Sequence, residues 1–143
     1  ARLYVAGTGT YESELRRLAA GMDNVHFLGH QRGGDLFSLY RGATATIVPS
    51  IGYDMSPQVV LESLREGTPV IVRNLGGMPE LVEDSHAGWV YDTNLELQEH
   101  LERLLADPTQ REEYGRRGEE AFARLWSPEA HLERYLSLIQ SLS

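Results

Sequence analysis

The sequence predicts an α/β fold: a doubly wound, mostly parallel sheet with extra helices at its C-terminal end. Three observations predict it. Short apolar runs of strand length recur along the chain, each stopped by glycine, proline or a polar turn. The stretches between them are long enough for helices, which implies parallel pairing through right-handed crossovers. The 143 residues, 41% hydrophobic and 24% charged, suit one ordinary globular domain with a real core.

The elements follow in order. Leu3-Tyr4-Val5-Ala6 reads as a strand that stops at Gly7-Thr8-Gly9. From Glu12 onward, Leu15, Leu18, Ala19 and Met22 fall on one helical face. Val25 to Leu28 is the second strand, and Asp35 is placed to cap a short helix carrying Leu36, Leu39 and Tyr40. Thr46-Ile47-Val48 is the third strand, ended by Pro49. Ser56-Pro57 opens the next helix with a capping hydroxyl and a proline at its first position, and the helix ends at Gly67.

Pro69 to Val72 is the fourth strand, Met78-Pro79 starts a further turn of helix, and Gly88 to Tyr91 is the fifth strand. Residues 94–143 then read as helical, with Leu97, Leu101, Leu104 and Leu105 on one face and capped starts at Asp107-Pro108 and Ser127-Pro128. No repeat, low-complexity run or linker divides the chain, so residues 1–143 are expected to form a single domain.

Composition excludes several functions. Without cysteine there is no disulfide, no zinc thiolate site and no thiol nucleophile. All 13 basic residues are arginine, so a Walker-type or Schiff-base lysine cannot operate. Against 21 acidic residues they leave a net charge of −8, which argues against nucleic acid as a partner. No apolar run reaches the roughly 20 residues of a membrane span and no signal peptide opens the sequence, from which a cytoplasmic location is expected.

In a doubly wound sheet ligands bind beyond the carboxyl ends of the strands. The loops to search are therefore residues 7–11, 29–34, 49–56 and 73–78. Gly7-Thr8-Gly9 begins like a dinucleotide fingerprint, but Glu12 stands where the third glycine would be. A tight strand-to-helix turn explains it more simply. A phosphorylated receiver domain would need aspartates at strand ends, where Gly7 and Pro49 stand instead. His26 and His30 are roughly 13 Å apart along a strand, too far to share a metal, and His100 and His131 fall in helical stretches as solvated side chains. Only His30 sits where a ligand would arrive, and a merely exposed loop histidine is the plainer reading of it.

The segment Asp54-Met55-Ser56-Pro57-Gln58-Val59-Val60-Leu61-Glu62 is the richest. It is a loop at a strand's carboxyl end feeding a helix, whose free N–H groups and dipole favour a phosphate. On a helical wheel Val59, Val60, Ser63 and Leu64 face inward, while Gln58, Glu62 and Glu66 share the polar face. Periodicity alone makes Glu62 a solvated surface carboxylate.

Here the sequence resembles a family. The stretch from Pro49-Ser50 through Asp54, Glu62, Gly67-Thr68-Pro69-Val70 and Gly76-Gly77 to Pro79-Glu80 is similar to the C-terminal, donor-binding half of the retaining glycosyltransferases of GT-B fold, group 1 or family 4 type. Residues upstream and the closing "LWSPEAHLERYLSLI" fit the same pattern, so the resemblance covers nearly the whole chain.

It implies a Rossmann-like donor domain that takes a nucleotide-diphosphate sugar as substrate, with no metal and no separate cofactor. Glu62 would bind the ribose hydroxyls and Asp54 would lie by the donor sugar; these two are the catalytic candidates. Main-chain N–H groups at Met55 and Ser56 would meet the diphosphate. Gly7, Gly9 and His30 complete the donor-binding set. Asp54 is one methylene shorter than the family's usual glutamate at its position.

The resemblance further implies a fragment of a two-domain enzyme. The N-terminal acceptor domain and the strand bearing the family's arginine-lysine clamp would lie outside this sequence, and the isolated chain would be inactive. Arg73 is then the nearest arginine for the diphosphate. The absent strand would leave the edges at Leu3–Ala6 and Thr46–Val48 open, to pair with each other or to be filled in a strand-exchanged homodimer. Two other classes share the scaffold: a non-catalytic nucleotide-binding or interaction module, and a sugar-nucleotide epimerase or phosphorylase.

Overall fold

The computed structural model describes residues 1–142. The chain divides into two compact units, Ala1–Ser38 and Leu39–Ser143, with the division inside one helix.

The first unit holds β1 (Leu3–Ala6), α1 (Glu12–Leu18), β2 (Val25–Gly29) and the start of α2 (Gly33–Gly42). β1 and β2 pair in parallel, Leu3 opposite Val25 and Ala6 opposite Gly29 with a register shift before Ala6. Tyr4 stacks on His26 at 5.2 Å, and the Arg16 guanidinium covers the Phe27 ring at 4.5 Å. Of the helical face predicted from Leu15, Leu18, Ala19 and Met22, only Leu15 and Leu18 lie on α1: the helix ends at Leu18, Ala19 is its C-cap and Met22 follows the turn at Gly21, where φ is +83°. Leu15, Leu18 and Met22 are exposed. Asp35 lies in the first turn of α2 instead of capping it, because the helix already begins at Gly33.

The second unit continues with β3 (Thr46–Val48), α3 (Gln58–Arg65), β4 (Val70–Arg73), α4 (Met78–Ser85), β5 (Gly88–Tyr91), α5 (Asn94–Ala106) and α6 (Pro108–Ala121). A π-helical turn over Phe122–Trp126 leads into α7 (Pro128–Ser141). The sheet order is β3-β4-β5, all parallel, with Ile47 opposite Ile71 and Ile71 opposite Trp89. Alternation along β4 sends Val70 and Val72 into one core with Val60, Leu64, Met78 and Leu81. Ile71 enters the other with Tyr91 and Leu104. Both faces of this sheet are thus covered, as a doubly wound fold requires.

The helix starts at Asp107-Pro108 and Ser127-Pro128 form as predicted, with each side chain accepting from the backbone N–H three residues on. A capping box between Thr93 and Glu96 starts α5. Other expectations are corrected. α3 begins one residue late, at Gln58, because Pro57 sits in extended conformation at ψ 119°; no side chain caps the helix. Each unit forms its own sheet, β1-β2 in the first and β3-β4-β5 in the second. The parallel pairs are those joined by a crossover helix, β1 to β2 through α1 and β3 to β4 to β5 through α3 and α4. His100, expected in solvent, is half-buried and stacks on Trp89 at 5.3 Å, with its Nδ1 buried and without a partner.

Candidate functional site

Two loops at the carboxyl end of the second sheet are locked together. The Gly77 N–H donates to the Asp54 carbonyl at 2.8 Å. Gly76 has a φ of +60°, and a Cβ there would run into the Asp54 backbone. A Cβ on Gly77 would collide with the Met55 carbonyl. The glycine pair after β4 is therefore the surface on which the loop after β3 rests. That contact sets the position of Asp54 and Met55 ahead of α3.

Within this loop the Ser56 N–H donates to Asp54 Oδ1 at 3.0 Å. A phosphate could take that N–H only by displacing the carboxylate. The Val60 N–H already donates to the Pro57 carbonyl at 3.0 Å, so the Gln58 and Val59 N–H groups are the ones that helix geometry leaves without an intrahelical partner, and the N-cap residue, Pro57, offers no side-chain acceptor. Asp54, Met55 and Ser56 are exposed, Met55 at 91%. Pro57 and Val60 are buried and anchor the start of the helix.

Glu62, about one turn along α3, departs from the wheel reading. It is half-buried and accepts a hydrogen bond on Oε2 from the Tyr40 hydroxyl at 3.1 Å. Tyr40, on α2, is only 6% exposed. Burial first, then the charge of Glu62, pushes the Tyr40 pKa up, so the hydroxyl stays a donor at neutral pH. The Tyr40 carbonyl in turn accepts from the Thr68 hydroxyl at 2.6 Å. The buried Ser63 hydroxyl pairs with the Thr68 carbonyl at 3.0 Å and the Thr46 hydroxyl at 2.8 Å. Glu66, one turn beyond Glu62, holds Arg41 at 2.7 Å and Arg65 at 3.0 Å. Val59, placed inward by the wheel, is 40% exposed.

Asp54, Met55, Ser56 and Glu62 thus share one loop-helix segment of the second unit. Gly7, Gly9 and His30 lie in the first unit, at the carboxyl ends of β1 and β2. Gly7, at φ +119°, donates its N–H to the Gly29 carbonyl at 2.7 Å. The Gly9 carbonyl accepts from Glu12 and starts α1, and His30 Nε2 accepts from Arg32 at 2.7 Å. Arg73 is exposed at the end of β4, and its charge opposes the upward shift that burial gives Tyr91. Sequence reading missed Tyr40 and Thr68. A tyrosine on the inward face of α2 was the available signal, since a buried phenol seeks a polar partner.

The class of fold is a parallel, Rossmann-like α/β sheet with a glycine-braced loop ahead of α3. The sequence profile of the family "Glycosyl transferases group 1" matches residues 1–121, and the chain belongs to that family. It is 35% identical, over 99% of its length, to a GDP-mannose-dependent monoacylated alpha-(1-6)-phosphatidylinositol monomannoside mannosyltransferase of Corynebacterium glutamicum. The fold matches sucrose-phosphate synthase of Thermosynechococcus elongatus with a TM-score of 0.81 at 25% identity, over 99% of this chain and 38% of that one. It matches the Anabaena protein HepE, solved with UDP-glucose, with a TM-score of 0.84 at 19% identity, over 98% of this chain and 41% of that one. The chain spans only 39% of the corynebacterial enzyme.

Proposed function

We propose that the chain binds the nucleoside-diphosphate sugar of a retaining glycosyltransferase, as the single donor-binding domain of a longer, two-domain enzyme. The observation that carries this reading is the loop-helix segment of α3, where Asp54 precedes an uncapped helix N-terminus and Glu62 follows on the same helix. In this reading Glu62 accepts hydrogen bonds from the ribose hydroxyls and Asp54 faces the donor sugar. The N–H groups at Met55 and the start of α3 stabilise the charge developing on the leaving diphosphate, and the Ser56 N–H joins them once the Asp54 carboxylate turns from it toward the sugar. Gly7, Gly9 and His30 contribute to donor binding, and no metal or separate cofactor takes part.

The relatives support the donor class, since the corynebacterial enzyme is named for GDP-mannose and HepE was solved with UDP-glucose. Their greater length supports a second domain that carries the acceptor. So does α7, where Leu132, Tyr135 and Leu136 are 55%, 57% and 48% exposed along one helical stripe. A strand-exchanged homodimer is the alternative means of covering the open edge of β1.

A thermal-shift panel of UDP, GDP, ADP and their sugars tests the reading. The chain alone is expected to bind one of them at about −4 to −5 kcal/mol and to transfer no sugar. At millimolar ligand that still raises the midpoint. Glu62→Ala is expected to weaken binding by about 1.5–3 kcal/mol. It also strands the Tyr40 hydroxyl, so stability falls by about 1 kcal/mol. No shift with any nucleotide, or equal titrations for both proteins, would overturn the proposal.

A further inference from the structure

We propose that Tyr40 is a positioning residue that fixes the Glu62 carboxylate for the ribose, and that Thr68 holds Tyr40 in place. The inference rests on the ribose role of Glu62 proposed above and adds the residues that make that role work. Its basis is a closed circuit of hydrogen bonds. Tyr40 donates to the Glu62 carboxylate, Thr68 donates to the Tyr40 carbonyl, and Ser63 pairs with the Thr68 carbonyl. Ser63 follows Glu62 directly on α3, which brings the circuit back to its start. The backbone of α3 beside Glu62 and the far end of its side chain are therefore held by the same set of groups.

The physical need is clear from the side chain. A glutamate has three rotatable bonds, and ordering it costs entropy at the moment of binding unless it is already ordered. A buried phenol is a suitable clamp, because its ring has few rotamers and its position is set by packing. The bond from Tyr40 occupies one of about four acceptor sites on a carboxylate, which leaves capacity for hydroxyl groups of a ligand. Thr68 belongs to the Gly-Thr-Pro-Val segment, whose threonine otherwise has no evident part in a donor site. In the structure it ties the turn before β4 to α2 through its 2.6 Å bond to the Tyr40 carbonyl.

Tyr40→Phe removes the hydroxyl and keeps the ring. The test measures binding of UDP, GDP and ADP, each against its 2′-deoxy counterpart, by calorimetric or NMR titration of the chain and its variants. The ratio of ribo to deoxy affinity reports the hydrogen bond that Glu62 makes; a general loss of packing would weaken both ligands alike. The wild-type ratio is expected to be about 10 or more for the nucleotide that binds best, as for a hydrogen bond to a charged group. Glu62→Ala should bring it close to unity. Tyr40→Phe should lower it at least threefold, and should change nothing further in the Glu62→Ala background. Thr68→Val should lower it less, with Thr68→Ser restoring it.

A Tyr40→Phe variant that keeps the wild-type ratio while Glu62→Ala abolishes it overturns the positioning role and leaves the ribose reading intact. So does a Tyr40→Phe effect that persists undiminished without Glu62. If the wild-type chain binds none of the three nucleotides, or if Glu62→Ala preserves the ratio, the ribose reading falls and the inference falls with it. Urea unfolding of each variant checks that folding is retained. Should Tyr40→Phe not fold, the Thr68 pair decides the same question, because a ratio equal in Thr68→Val and Thr68→Ser refutes the circuit.

Discussion

The two compact units solve the problem of a parallel strand pair in opposite ways. In residues 1–38 no side chain is buried: β1 presents Leu3 at 45% and Tyr4 at 49% exposure, and α1 has no buried residue. In the second unit Val70, Ile71 and Val72 of β4 are all at 0%. The difference follows from strand position. β4 is the centre of three strands, so both edges are hydrogen-bonded and both faces are packed by helices. β1 and β2 share a single ladder, which orders the backbone and buries little. The glycines repeat the contrast. A Cβ on any of Gly7, Gly9, Gly21, Gly29, Gly33 or Gly34 meets nothing, whereas Gly77, Gly88 and Gly115 are pressed against backbone. Asp54 through Glu62 stand on the second unit, where a side chain can be held in one place.

The largest expected effect tests that contrast directly. Ile71→Ala removes three carbons from a fully buried site between Tyr91 and Leu104, and should cost about 2–5 kcal/mol. Leu3→Ala in β1 truncates a half-exposed side chain and should cost about 1 kcal/mol or less. Urea midpoints with unchanged slopes would show the two values. Equal losses would mean that the first unit carries as much of the stability as the second.

Next in size is the glycine contact between the two loops. Gly77→Ala places a methyl against the Met55 carbonyl, so the loop before α3 must shift, at a cost of about 1–3 kcal/mol. It should also weaken nucleotide binding, since Asp54 and Met55 move with that loop. Gly9→Ala is the matching change in the first unit, with open space around the added methyl, and should stay within about 0.5 kcal/mol. A Gly77→Ala protein with wild-type stability and binding would show that the loops are not locked.

The same contrast explains what could be read from sequence. β1, β3 and β5 have the bounds their apolar runs predict, because glycine, proline or a polar turn ends each one. The caps at Asp107 and Ser127 were legible for a similar local reason. Features that depend on partners distant in sequence were not legible. Periodicity put Glu62 in solvent, and only the fold brings Tyr40, 22 residues earlier, to its carboxylate. His100 also followed its helix on paper, while Trp89 of β5 draws it into a stack. The Ser56 cap does not form because Pro57 stays extended and itself stands at the N-cap position, one residue beyond the serine. The acidic pair itself was visible through a resemblance; what holds its second member was not.

The smallest effect expected is in acid, and it again separates the units. Backbone N–H groups of Asp92 and Thr93 donate to Glu96 and hold its pKa below the ordinary 4.5. Glu14, in the first unit, is held below 4.5 by its hydrogen bond from Arg17. A carboxylate whose folded pKa is depressed binds fewer protons than in the unfolded chain, so its contribution is fully present above about 4.5. The contribution is lost as pH falls through the lowered folded value. Glu14 is exposed and Glu96 half-buried at a solvated helix start, each adds little, and their sensitivity to salt should differ. Glu96 is tied to a helix start by fixed backbone donors, whereas Glu14 pairs with an Arg17 side chain that is 70% exposed. Glu96→Gln keeps an oxygen for the capping box and removes the charge. Urea unfolding between pH 3 and 7 should then show a flatter acid limb for Glu96→Gln in both low and high salt. For Glu14→Gln the flattening should appear at low salt only, because an exposed ion pair is screened. Acid limbs that respond alike to salt in the two variants would refute the distinction between a carboxylate fixed by backbone and one paired to a solvated side chain.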